Sequence, residues 1–232
     1  MQLEVVPQVN WAKACARRLR SVLVNEPAAR LCLPTGATPR PFYDAYTKQP
    51  NIDRASVVLL DEFVLPSGDE GRCDSMLRRD LLDKLPEPPA HLRTWDTDQD
   101  LDDECDRMDT WLSDGELRLA IVGLGANGHV GTNEPGSPED SRCRVVDLAS
   151  STSRGALSYG ASVAPAQAVT LGIANLLEAS EVWLIVTGAH KQAVLRTVVE
   201  DPISPAVPAS LLRTHQNLLV IADDAAAGDF KR

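Results

Sequence analysis

An apolar run at residues 117–122 (LRLAIV) breaks directly into a loop with glycine at 123, 125, 128 and 131. A short apolar run ended by turn residues is the pattern of a strand buried on both faces. Such strands belong to parallel sheets covered by helices. Glycine lets the backbone turn tightly and come close to a ligand. Within the loop, residues 123–137 (GLGANGHVGTNEPGS), stand one histidine, His129, one carboxylate, Glu134, and two asparagines, Asn127 and Asn133. Open α/β sheets place ligands in loops that follow strands. His129 and Glu134 are therefore expected as a proton-moving pair.

The rest of the chain repeats the strand–helix alternation. Strand-like runs lie at 3–6, 29–33, 56–60, 181–187 (EVWLIVT) and 218–222, and helical spacing at 11–24, 38–46, 74–85, 101–112, 169–177 and 191–199. Thr38 is expected to cap its helix, with Pro39 at the first helical position. Alternation of this kind implies an α/β fold: a doubly wound, mostly parallel, Rossmann-like sheet with helices on both faces. A single domain over 1–232 is expected, with 223–232 as a flexible tail. Residues 85–90, with three prolines, read as a linker, and 138–165 show no usable periodicity.

Charge narrows the function. With 33 acidic against 23 basic residues, net −10, the chain lacks the basic footprint of a nucleic-acid binder. An anionic small molecule stays compatible, because one cation and a helix N-terminus suffice locally. No apolar run approaches the length of a membrane span, and the first twenty residues lack a signal-peptide core. The five cysteines include no Cys-x-x-Cys pair, so neither a zinc site nor a disulfide framework is expected. The expectation is a cytoplasmic, reducing setting. A homo-oligomer is compatible with the sequence.

Four stations carry chemistry. At 33–39 (LPTGATP) a glycine turn feeds a helix, and the Thr35, Gly36, Ala37 and Thr38 segment offers N–H groups and hydroxyls to an anion. An ordinary strand–turn–helix is the plainer reading. At 59–63 (LLDEF) two carboxylates emerge at a strand end, and either Asp61 faces the crevice or the pair is a solvated turn. The 123–137 loop is the third. Its Gly-x-Gly-x-x-Gly spacing is not followed by a helix, as a dinucleotide site requires. At 186–191 (VTGAHK), Lys191 near a helix start opposes the helix dipole unless an anion is close.

In this order and spacing, the stations resemble the glucosamine-6-phosphate deaminase/isomerase family, which shares its fold with the 6-phosphogluconolactonases. The resemblance spans about residues 31–223, including 169–191 and 203–221 (ISPAVPASLLRTHQNLLVI). The His-x-x-x-Asn-Glu-Pro-Gly portion is similar to the deaminase side. The resemblance implies isomerisation with deamination of a 6-phosphorylated 2-amino-2-deoxy-hexose. It implies that His129, oriented by Glu134, helps open the pyranose ring, and that Asp61 takes the C2 proton and returns it at C1. It places the phosphate on the 35–38 turn with Lys191. No metal or organic cofactor is implied, because the protonated amine serves as the electron sink.

This chain departs from the family in two places. Asn127 stands where the deaminases usually carry Asp. Asn bears no charge, which leaves His129 dependent on Glu134 alone. The Asn-Gly-His segment resembles the galactosamine-6-phosphate branch, so galactosamine 6-phosphate giving tagatose 6-phosphate is the expected reaction. Glucosamine-6-phosphate deaminase, a lactonase and a non-catalytic sugar-phosphate binder are the alternatives. The family's lid arginine is absent at Ser158-Tyr159, so either the nearest arginine, Arg154, replaces it or the phosphate relies on Lys191.

Overall fold

The computed structural model describes residues 1–230. In chain order its strands are β1 (Gln2–Val6), β2 (Arg30–Leu33), β3 (Ser56–Leu59), β4 (Asp61–Phe63), β5 (His91–Arg93), β6 (Leu119–Gly123), β7 (Arg144–Asp147), β8 (Gln167–Thr170), β9 (Val182–Val186) and β10 (Leu218–Asp223). The α-helices are α1 (Gln8–Asn25), α2 (Pro39–Tyr46), α3 (Cys73–Asp80), α4 (Leu101–Ser113), α5 (Ser150–Leu157), α6 (Ile173–Leu177), α7 (Gln192–Glu200), α8 (Pro208–Leu211) and α9 (Asp224–Ala227).

Seven strands form one sheet in the order β1-β10-β9-β6-β2-β3-β5, and every pairing in it is parallel. Every residue of β9 and β10 is buried, which is why these strands read as unbroken apolar runs. Helices on both faces bury the sheet, and the expected doubly wound α/β architecture is what the chain adopts. From β2 the chain moves outward through β3 to β5. From β6 it moves the other way through β9 to β10. The order therefore reverses between β2 and β6, and that switch opens a crevice beyond the carboxyl ends of the strands. Tryptophans pin the sheet from inside: Trp95 Nε1 donates to Leu59 O at 2.9 Å, at the end of β3.

Some elements differ from the sequence expectation. A second sheet, β4-β8-β7, is antiparallel. Residues 169–177, expected as one helix, split into the end of β8 and α6. The break is at Gly172, where a Cβ would stand 2.1 Å from Ser141 O. Thr38 precedes α2 without a side-chain capping bond, because its own backbone is already helical. The prolines at 86–89 lead into a short strand, β5. The expected tail from 223 onward holds the buried end of β10, with Asp223 fully enclosed, and α9. Lys231 and Arg232, its last residues, lie outside the described residues. All five cysteines are buried and unbonded. Among the described residues no helix is long and apolar enough to cross a membrane.

Candidate active site

The four stations follow four adjacent strands, β9, β6, β2 and β3. Because those strands are parallel, their carboxyl ends lie along one edge, and the stations meet there around a cavity of about 350 Å³. Thr35, Gly36, Ala37, Thr38, Asp61, Asn127, His129 and Lys191 all line it. Glu134 stands just behind His129, its Oε2 3.6 Å from the imidazole Nδ1.

The adjacent carboxylates at 61 and 62 take separate roles, because successive strand side chains point to opposite faces. Asp61 lines the cavity and is 7 % exposed. Burial pushes its carboxyl up to about 7, although the nearby His129 pulls it down. Glu62 turns away and is fully enclosed. It accepts the N–H groups of Cys73 at 2.6 Å and Asp74 at 2.9 Å, at the start of α3, and lies 3.6 Å from the Arg72 guanidinium. It is a structural cap rather than part of the cavity.

The glycine loop is folded around His129. A Cβ on Gly125 would stand 2.2 Å from His129 Cδ2 and 2.3 Å from Nε2, so the ring rests on bare backbone that no other residue leaves free. Asn127 is tied at both ends of its amide. Its Oδ1 accepts the His129 N–H at 3.2 Å, and its Nδ2 donates to Glu134 Oε2 at 2.8 Å. Burial pushes the Glu134 carboxyl up, but hydrogen bonding from His129, Thr152 and Asn127 more than offsets this and holds it at about 2. Glu134 is therefore ionised at neutral pH. Among the described residues it is the one carboxylate within ion-pair distance of His129. Farther along the loop, Arg144 Nη1 and Nη2 donate to Asn133 Oδ1 and Ser137 Oγ, each at 2.8 Å. These bonds brace the segment that carries Glu134.

The anion station is built from β2 and β9. Gly36 turns with φ +99°, a conformation that favours glycine, and Tyr43 OH donates to Pro34 O at 2.6 Å to hold the turn. Opposite it, Lys191 is half-buried, and burial lowers its ammonium below the usual lysine range. Among the described residues it has no carboxylate within ion-pair distance, so the cavity that the glycine turn lines also holds an unpaired cation. Asp223 secures the Lys191 turn by accepting the Gly188 N–H at 3.0 Å.

Arg154 does not join the site. It is exposed and lies off the stripe by which Ser151, Thr152 and Gly155 of α5 line the cavity. The wall it was expected to supply comes from neutral groups. Thr152 Oγ1 lies 3.4 Å from His129 Nδ1. The Tyr159 hydroxyl lies 3.6 Å from the position a Gly36 Cβ would take. Sequence reasoning missed Thr152, since 138–165 carries no periodic signal, and noted Tyr159 only as part of the place where the family's lid arginine is absent. The serine- and threonine-rich start of α5 (SSTS) was the available hint.

The model of the family described as glucosamine-6-phosphate isomerases/6-phosphogluconolactonase matches residues 8–221. A glucosamine-6-phosphate deaminase of Streptococcus equi subsp. zooepidemicus is 33 % identical over 232 residues, 98 % of each chain. One from Pseudarthrobacter chlorophenolicus is 33 % identical over 228 residues, 94 % of this chain and 88 % of its own. Among solved structures, a monomeric glucosamine-6-phosphate deaminase superposes with a TM-score of 0.92 at 28 % identity, covering 98 % of this chain and 99 % of that one. The 6-phosphogluconolactonase of Thermotoga maritima shares the fold, with a TM-score of 0.78 at 19 % identity over 96 % and 99 % of the two chains.

Proposed function

The chain belongs to the glucosamine-6-phosphate isomerase/6-phosphogluconolactonase family, and from that premise we propose that it converts glucosamine 6-phosphate to fructose 6-phosphate and ammonia. Its full-length deaminase relatives make it an enzyme of the amino-sugar-phosphate isomerase/deaminase kind. The observation that carries the substrate reading is the pairing of Asp61, poised near neutrality, with a His–carboxylate pair beside an unneutralised lysine in one cavity.

In this reading the phosphate rests on the 35–38 turn against Lys191. His129 carries the proton from the anomeric hydroxyl to the ring oxygen and opens the pyranose, with Glu134 supporting the imidazolium. Asp61, ionised, removes the proton from C2. The C–H electrons form a C1–C2 double bond as the C1 carbonyl oxygen takes up a proton from the C2 ammonium, giving an enolamine. Asp61 then returns its proton to C1, which leaves an iminium at C2. Water adds there, and ammonia departs as the ketone forms. The two groups that move protons to and from the sugar, His129 and Asp61, line the same cavity, and a cytoplasmic setting suits such a metabolic reaction.

Galactosamine 6-phosphate, expected from the Asn-Gly-His segment, is the competing substrate, but the deaminase relatives above are named for glucosamine. Ammonia release measured with both epimers in parallel tests the proposal. The expected outcome is a kcat/KM for glucosamine 6-phosphate at least about tenfold higher. The reverse preference would restore the galactosamine reading. Hydrolysis of 6-phosphogluconolactone without ammonia release from either amino sugar would overturn the deaminase reading.

A further inference from the structure

Tyr159 brings to the cavity a hydroxyl that no protein group uses. The other two tyrosines spend theirs on structure: Tyr43 OH donates to Pro34 O at 2.6 Å, and Tyr46 OH donates to Asn51 Oδ1 at 2.9 Å. The Tyr159 hydroxyl bonds to none of the described residues, and its side chain lines the cavity together with the 35–38 turn and Lys191. The ring meets that turn hydroxyl end first. Its oxygen lies 3.6 Å from the place of a Gly36 Cβ, and the ring carbon that bears it 3.7 Å.

The chain fixes this placement from both sides. Tyr159 N–H donates to Ala156 O at 2.9 Å, at the end of α5, and the ring packs against the buried core. Three residues on, Asp69 Oδ2 accepts the Ser162 N–H at 3.1 Å and the Ser162 hydroxyl as well. Gly71 lets the two segments close on each other, since a Cβ there would stand 2.3 Å from Ala161 N. Tyr159 thus sits on a turn clamped between α5 and the 69–71 loop.

A Cβ lies about 1.5 Å from its Cα, so the Tyr159 oxygen is within about 5 Å of the Gly36 backbone. No hydrogen bond joins them directly. Two hydrogen bonds that share one oxygen between them span about 5 Å. A phenol hydroxyl can donate, and donation to a charged oxygen is among the stronger hydrogen bonds.

We propose that Tyr159 is a substrate-binding residue: its hydroxyl donates to a phosphate oxygen seated on the 35–38 turn. Lys191 supplies the charge of that site, and Tyr159 supplies a neutral donor of fixed direction. The inference rests on the reading that this turn holds the phosphate of the substrate.

The test compares Y159F and K191A with the parent. Y159F keeps the ring and its packing and removes only the hydroxyl. Calorimetric titration with inorganic phosphate reads the anion site without any turnover, and ammonia release from glucosamine 6-phosphate reads the consequence. Y159F should weaken phosphate binding about tenfold, as expected for a lost hydrogen bond to a charged group. It should raise KM by a similar factor and leave kcat within about twofold. Phosphate binding by Y159F within about twofold of the parent would overturn the inference. If K191A weakens phosphate binding in that case, the phosphate site stands without Tyr159. If neither variant weakens it, the site reading falls with the inference. A loss in Y159F confined to kcat would also overturn the inference, because it would move the hydroxyl to the reacting end of the sugar. If Y159F fails to fold, the Cζ resonance of Tyr159 in the labelled parent decides: it should shift on addition of inorganic phosphate, and an unmoved resonance at saturation would overturn the inference. If the parent releases no ammonia, the proposed reaction fails, while the phosphate titration still decides the role of Tyr159.

Discussion

The cavity has two walls of different kinds. The strand-end wall, built by the turns after β2, β3, β6 and β9, carries all the charge: Asp61, His129 with Glu134 behind it, and Lys191. The α5 wall is neutral, with Ser151, Thr152, Gly155 and Tyr159. Charge in a buried site needs a rigid support that fixes its distance from other charges, and parallel strand ends supply one. Hydroxyl groups can come from a short helix that leans on the charges already in place. In the proposed reaction the strand ends hold the groups that move protons, and α5 supplies the neutral wall that faces them.

The sharpest way to break that contrast is to remove His129. H129Q should lower kcat for ammonia release about a thousandfold, the size expected for a lost acid–base group. A loss confined to KM would move proton transfer away from the strand-end wall. A smaller effect separates the two cationic candidates. K191A should raise KM for the sugar phosphate about tenfold or more, as expected for a lost charged hydrogen bond. R154A should change it by less than about twofold, since that side chain is exposed and off the cavity. An equal effect of the two substitutions in steady-state kinetics would mean that α5 carries charge to the substrate after all.

The same division explains what could be read from the sequence. The strand-end wall was legible because each station is local. A strand, a turn and its chemical groups are contiguous, and neighbouring parallel strands bring the turns together. Asp61 and Glu62 could be seen as a pair with divided roles, although which backbone Glu62 would cap depended on α3. The α5 wall was not legible. Its segment is polar, its helix is only eight residues long, and its position depends on contacts with a loop more than ten residues away. Arg154 was chosen for its charge, yet helical spacing carries it off the stripe that Thr152 shares. The strands β4, β7 and β8 are each three or four residues, too short for an alternating pattern to stand out. In β8, the apolar spacing running on past Gly172 imitated a helix. With asparagine at 127, the sequence leaves Glu134 as the carboxylate of this loop, and it lies 3.6 Å from His129. The second job of Asn127, holding both Glu134 and the His129 backbone, shows only in three dimensions.

The central claim is that Asp61 is the base at C2, and the pH dependence of ammonia release from glucosamine 6-phosphate tests it most directly in the parent enzyme beside D61N. Burial raises the Asp61 carboxyl to about 7, and only its ionised form accepts a proton. The parent kcat/KM should therefore fall tenfold for each pH unit below about 7 and level off above it. D61N, folded and still binding the sugar phosphate, should be slower by about a thousandfold above about pH 7, and the gap should narrow about tenfold per pH unit below it because the variant has lost that limb. Turnover by D61N within about tenfold of the parent, with the acidic limb intact, would contradict the assignment.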